Sequence, residues 1–215
     1  LQLISPEKDV DGFHPENVGL LSIGHPRFIS CTPKGIMRIF DHYDIDLNRK
    51  HVVVLGRSNI VGRPMSLLTG LKKKGANATT TVCHSGTKNI SDFITSADVI
   101  ISAMGVPKFL KGKMLKKGSV VIDVGINRVE TDNEKGYVLV GDADWVSIQE
   151  SVSAATPVPG GVGPMTIDML VENTVEAAER IMVKSKTNSL TIAVSEEFPV
   201  IVSFNTKVSK PVLAF

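Results

Sequence analysis

Short apolar runs, unbroken rather than alternating, mark the middle of the chain. His51–Leu55, Thr79–Cys83, Val99–Ser102 and Val120–Val124 are rich in β-branched residues and read as strands covered on both faces. Between them, Val61–Lys74 and Ile90–Ser96 read as helices. Strand and helix in alternation predict βαβ units, and right-handed crossovers make the sheet parallel and doubly wound. The expected fold class is α/β.

Outside this block the pattern changes. Leu1–Asn17 reads as a lead-in broken by Ser5-Pro6 and by the polar turn Lys8-Asp9-Val10-Asp11-Gly12. Thr32-Pro33 reads as an N-cap with proline at the first helical position, and the helix behind it sets Ile36, Ile39 and Phe40 on one face. Asp44–Arg49 is a polar connector, and Tyr137–Val140 is a candidate further strand. Thr166–Val183 reads as a long helix with Met169, Leu170, Asn173, Ala177 and Ile181 along its apolar side, one of them polar. Residues 184–215, rich in Ser, Thr and Val, fit either an extra hairpin or a segment without a fold of its own; the second is expected.

Two glycine-rich turns carry the chemistry. Gly56, Ser58 and Gly62 follow the strand His51–Leu55 and open a helix, the context in which free backbone N–H groups and the helix dipole hold a phosphate. The spacing departs from G-x-G-x-x-G, and a tight turn without ligand remains the competing reading. In this setting the sheet is expected to be a Rossmann-like nucleotide-binding domain. Thr156–Thr166 places three prolines and three glycines at the entry of another helix, a bare backbone suited to lying flat against a ligand. Further turns at Ala103–Pro107, Asp123–Asn127 and Gly141-Asp142 close strands at the same sheet edge.

The end of the second strand bears on cofactor choice. A carboxylate there usually binds ribose hydroxyls, but this chain has Cys83-His84-Ser85. Arg57 and Ser85 together would seat a ribose 2′-phosphate, which favours NADP. A solvated Arg57 with Ser85 as a helix cap is the plainer alternative. Asp9 and Asp11 flank a valine, so in extended chain both point to one side. A single carboxylate there can grip an amidine-like heterocycle through paired hydrogen bonds. No metal site is expected, and none of the five histidines shows ligand spacing.

Composition adds bounds. The 215 residues make one large domain or one and a half ordinary ones, and 42% hydrophobic content supports a core. A net charge of +2 gives no reason to expect nucleic acid, and Lys72-Lys73-Lys74 is expected to face solvent at a helix end. The two cysteines make no disulfide framework and suggest reduced thiols. No run reaches membrane-span length. The chain starts without Met, in what reads as the end of a helix, and is expected to be cut there.

In this order and spacing, Pro6-Glu7-Lys8-Asp9-Val10-Asp11-Gly12-Phe13, Cys31-Thr32-Pro33-Lys34-Gly35, Gly56-Arg57-Ser58 through Val61-Gly62-Arg63-Pro64, Asp123-Val124-Gly125-Ile126-Asn127 and Pro157–Thr166 are recognisable. The chain resembles the bifunctional methylenetetrahydrofolate dehydrogenase/methenyltetrahydrofolate cyclohydrolase family. The resemblance implies NADP-dependent oxidation of 5,10-methylenetetrahydrofolate, then hydrolysis of the methenyl product to 10-formyltetrahydrofolate. It implies folate and dinucleotide meeting between two domains. Asp11 would bind the pterin as the catalytic-site carboxylate. Gly56, Arg57, Ser58, Ser85 and Ile126 would contact NADP, and Pro159, Gly160, Gly161 and Val162 would lie near the folate.

The family also carries a longer N-terminal region with a Tyr-x-x-x-Lys motif central to the hydrolytic step, which this sequence does not contain. The expected organisation is therefore a remnant of the folate domain (residues 1–31), the NADP domain (32–165, with a linker helix at 33–43), a helix returning to the first domain (166–183) and an atypical tail (184–215). The expected partners are a folate substrate and a second copy in a homodimer, with no nucleic acid and no membrane. The cytoplasm is the default compartment, with a mitochondrion or plastid open. Reduced or absent activity of this chain is expected. A non-catalytic NADP-binding module or partner subunit is the alternative, and another dehydrogenase with the same sheet is a third.

Overall fold

The computed structural model describes residues 3–197, with side chains through Val183. The chain divides into two compact units, Leu1–Ala177 and Ala178–Phe215. The first holds every described strand, and the second is described as helix as far as Glu197.

In chain order the elements are α1 (Pro15–Ser22), α2 (Cys31–His42), β1 (His51–Leu55), α3 (Gly62–Gly70), β2 (Thr79–Cys83), α4 (Ile90–Ser96), β3 (Val99–Ser102), β4 (Ser119–Asp123), β5 (Asn127–Glu130), β6 (Tyr137–Val140), α5 (Trp145–Ile148), β7 (Val152–Ala155) and α6 (Val162–Glu197). Five strands form one sheet in the order β2-β1-β3-β4-β7, every pair parallel. β1 and β3 are neighbours although β2 separates them in sequence, so strand order reverses between them. In open α/β sheets that reversal opens a crevice for ligand at the carboxyl ends of the strands.

The apolar runs form strands because both sheet faces are covered. Val52, Val54, Val99, Ile101 and Ile122 pack with Ile36 and Phe40 of α2 and Met65 and Leu68 of α3. Val53, Leu55, Ile100 and Val121 pack with Ile94 of α4 and Ile148 of α5. Alternate side chains thus serve alternate faces, and both are apolar. β2 is an edge strand, which is why its threonines are partly exposed.

Several expected boundaries move. The linker helix is Cys31–His42 rather than 33–43, with Ser30 at the N-cap in place of Thr32. Thr32 Oγ1 instead pairs with Thr166 Oγ1 at 2.9 Å, and a proline in the first turn needs no N–H partner wherever in that turn it stands. α3 stops at Gly70, so Lys72-Lys73-Lys74 is exposed in the turn beyond it. Tyr137–Val140 is a strand, but it pairs antiparallel with β5 in a separate hairpin. α1 was not expected from the lead-in, although His14 caps it by accepting from Glu16 N and Pro15 begins it. The last helix begins at Val162 rather than Thr166 and runs past Val183 to Glu197, so it takes in part of the segment expected to lack a fold. Residues 198–215 lie outside the described residues.

Candidate functional site

The turn after β1 is folded around missing side chains. Gly56 has φ +118°, and a Cβ there would lie 2.3 Å from Ala103 O at the end of β3. A Cβ on Gly62 would lie 2.3 Å from Gly56 O. Both glycines are thus needed for the backbone to double back so tightly. Gly56 N donates to Cys83 O at 2.8 Å, tying the turn to the end of β2. Ser58 Oγ accepts from Val61 N at 3.1 Å and Gly62 N at 3.4 Å, which braces the start of α3. Arg57, Ser58 and Arg63 are exposed.

Past β2, His84 N donates to Thr87 Oγ1 and Gly86 N to His84 Nδ1, a turn that leaves Ser85 exposed. Ser85 does not cap α4; Asn89 stands at that position. The plainer alternative for Ser85 is therefore withdrawn.

Across the crevice, two buried carboxylates organise the edge. Asp123, at the end of β4, accepts from Gly125 N (2.9 Å) and Asp142 N (3.0 Å) at Oδ1, and from Ala143 N (2.8 Å) at Oδ2. Burial pushes its carboxyl above the usual range, and those three N–H donors work against the rise. Asp142 binds Met104, Gly105 and Val106 of the β3 turn, together with Asn127. Ile126 sits between these anchors and is 65% exposed.

The proline–glycine segment follows β7. Gly161 N donates to Pro157 O at 2.9 Å, and a Cβ on Gly161 would lie 2.5 Å from that oxygen. The Val158–Pro159 bond is cis. Cβ atoms on Gly160 and Gly163 would meet nothing within 4 Å, so this stretch of backbone faces open space. A Cβ on Gly141 would meet Val158 Cγ2 at 3.0 Å, which places the segment against the β6 end.

The acidic turn is not extended. Gly12 N returns to Asp9 O, and Gly12 has φ +70°. Asp9 is buried and structural: its Oδ2 accepts from His14 N at 2.7 Å and Asn17 Nδ2 at 2.8 Å. Asp11 stays exposed, so the expectation that both carboxylates share one side is corrected; the turn commits one inward. Cys31 Sγ stands 3.8 Å from Asp11 Oδ1. The next residue, Thr32, touches Thr166 on the first turns of α6, which links Asp11 to the helix that begins at Val162. Asn173 closes the arrangement, donating to Val10 O at 2.7 Å and Ile29 O at 3.0 Å and accepting from Lys34 Nζ at 2.7 Å.

Gly56, Arg57, Ser58, Ser85, Ile126 and Pro159–Val162 thus all follow carboxyl ends of parallel strands, whereas Asp11 is linked only to α6, through Cys31 and Thr32. Sequence reasoning gave no role to Asp142, Asn17 or Asn173. The signal for Asp142 and Asp123 was a glycine close to each, because a Cβ on Gly125 would lie 2.2 Å from Asp142 Oδ1 and one on Gly141 would lie 2.0 Å from Asp123 Oδ2. Among the described residues no cluster of three or more His, Cys, Asp or Glu side chains forms a metal site. No described helix is long and apolar enough to cross a membrane.

A doubly wound parallel sheet with a glycine turn at its switch point defines a Rossmann-like dinucleotide-binding domain. Residues 30–182 match the family described as tetrahydrofolate dehydrogenase/cyclohydrolase, NAD(P)-binding domain. The chain belongs to that family.

Among relatives, the bifunctional protein FolD of Flavobacterium psychrophilum is 54% identical over 181 residues, 84% of this chain and 62% of that protein. FolD 1 of Haloarcula marismortui is 55% identical over 177 residues, 82% and 60% respectively. The chain therefore spans about three fifths of the length of the curated relatives it matches. Among solved structures, the Trypanosoma brucei dehydrogenase-cyclohydrolase, complexed with NADP cofactor and inhibitor, is similar with TM-score 0.78 at 38% identity, covering 83% of this chain and 61% of that one. The Campylobacter jejuni FolD structure gives TM-score 0.73 at 50% identity, covering 80% and 58%.

Proposed function

We propose that this chain binds NADP(H) across the carboxyl edge of its sheet and serves the oxidation of 5,10-methylenetetrahydrofolate, with hydrolysis to 10-formyltetrahydrofolate as the second activity of its family. The observation that carries this reading is the turn at β1, folded flat against Ala103 and flanked by the exposed Arg57. Glycines that a Cβ would fill form a cradle close enough for a phosphate to meet backbone N–H groups. Arg57 and Ser85 supply a guanidinium and a hydroxyl for a 2′-phosphate, with no carboxylate after β2 to oppose it. The NADP complex of the Trypanosoma relative supports the same choice.

Bound NADP+ would supply the hydride acceptor. Asp11 would hold the pterin through its exposed carboxylate, and Pro159, Gly160, Gly161 and Val162 would lie flat beside it and exclude water. Ile126 would cover an apolar ring. Nucleotide binding without turnover is the second reading, and the assay below distinguishes it. We also propose a homodimer, which analytical ultracentrifugation would test.

The deciding experiment is a titration with NADP+ and NAD+, followed by an assay with methylenetetrahydrofolate. NADP+ is expected to bind more tightly, and Arg57→Ala is expected to cost it about tenfold or more, the worth of one charge-assisted hydrogen bond. Equal affinity for the two dinucleotides, unmoved by Arg57→Ala, would overturn the cofactor assignment. Binding without turnover would select the second reading.

A further inference from the structure

The half of the crevice across from the β1 turn is built around a carboxylate that the dinucleotide reading leaves unused. Asp142 is fully buried and accepts five hydrogen bonds. At Oδ2 these come from Met104 N (2.7 Å), Gly105 N (3.2 Å) and Ser102 Oγ (3.3 Å). At Oδ1 they come from Val106 N (3.0 Å) and Asn127 Nδ2 (2.9 Å). Three successive backbone N–H groups, with Gly105 at φ +68°, converge on one anion. Such a concavity is a nest, the kind of backbone shape that can hold a phosphate.

Here the nest holds the protein's own charge. The segment is also zipped to its anchor by backbone, with Lys108 N donating to Gly141 O, Leu110 N to Asp142 O and Asp144 N to Leu110 O. Asn127 brings the next turn to the same carboxylate, fixing the residue that follows Ile126. No larger residue could replace Gly125, whose Cβ would overlap Asp142 Oδ1. One side chain therefore sets two backbones, Met104–Val106 and Gly125–Asn127, on the β3 and β4 side of the switch point.

That placement matters for a dinucleotide. With the 2′-phosphate end over β2 and the pyrophosphate at the β1 turn, the other half of the molecule crosses to β3 and β4. We propose that Asp142 is a positioning residue: an internal anion that fills the nest after β3 and shapes the wall against which the nicotinamide half lies. By filling that nest it leaves the β1 turn as the phosphate-binding pole of the crevice. This inference rests on the dinucleotide reading above.

The test compares NADP+ with adenosine 2′,5′-bisphosphate, a probe that needs only the β1 and β2 side. Asp142→Asn keeps the size, but its NH2 group must face backbone donors on one side. It is expected to weaken NADP+ by about tenfold, the worth of one such hydrogen bond, and to change the bisphosphate by less than about twofold, with the far-UV circular dichroism unchanged. Asn127→Ala, which removes one partner and leaves the nest, is expected to weaken NADP+ alone by about threefold. If Asp142→Asn does not fold, Asn127→Ala decides. Unchanged NADP+ affinity, or a parallel loss of both ligands, overturns the positioning role. Wild-type protein that binds neither ligand overturns the dinucleotide reading and this role with it.

Discussion

At Gly56 the conflict a side chain would create is with backbone, not with another side chain that could swing away. The Cβ of Gly56→Ala would lie 2.3 Å from Ala103 O, at a φ that L-residues rarely adopt, so the β1 and β3 ends must part. The expected cost is about 2 kcal/mol or more, read as a lower urea midpoint, together with weakened NADP+ binding. An unchanged midpoint would refute the close approach. The two thiols give a second residue-scale test. Burial, with the Asp11 charge next in size, pushes Cys31 up to about 11, and burial raises Cys83 as well. Both are free and buried. At pH 8 the native protein is expected to react slowly with Ellman's reagent, and to release two thiols promptly on denaturation. Fast labelling of Cys31 in the native state would show that the Asp11 turn is open.

Between elements, the seam of α2 with α6 depends on polar groups where the apolar pattern predicts a greasy contact. Asn173 was legible as the polar exception on its helix, but its role was not. Its neighbours Leu170 and Ile181 are exposed, while Asn173 itself is fully buried and joins Val10, Ile29 and Lys34. Asn173→Ala strands two half-buried carbonyls and one partner of a lysine, with an expected loss of about 1–2 kcal/mol. Asn173→Asp offers acceptors where donors are required and is expected to do no better. The strands were legible because both sheet faces are apolar, which leaves an unbroken run in the sequence. β7 was not, since Val152-Ser153-Ala154-Ala155 has no such run and is recruited by pairing with β4. The glycines that the tight turns require were legible by position. The carboxylates they make room for were not, because the backbone donors to Asp142 lie 36 to 38 residues away and a side-chain hydrogen bond leaves no period in the sequence.

For the whole molecule, buried and paired carboxylates pull the pH dependence of stability in opposite directions. Asp98 is held below the ordinary range chiefly by the Lys116 ammonium, 2.6 Å away, and then by His51 N–H. Burial pushes Glu172 up, but Lys34 and Arg38 outweigh it and its pKa is lowered. A carboxyl lowered in the folded state contributes stability above its unfolded pKa, about 4. That contribution is lost as pH falls through the folded value. Asp123 has the reverse sign: raised by burial, it favours the folded state at acid pH and loses that contribution as pH rises through its folded value. Urea midpoints should therefore fall below about pH 4, where Asp98 and Glu172 take up protons, and above that Asp123 should lower them as pH rises through its folded value. Asp98→Asn is expected to flatten the acid fall while costing less than about 1 kcal/mol at pH 7, since Lys116 is half exposed. The same acid fall in wild type and Asp98→Asn would mean that the Lys116 pair does not set the acid limb.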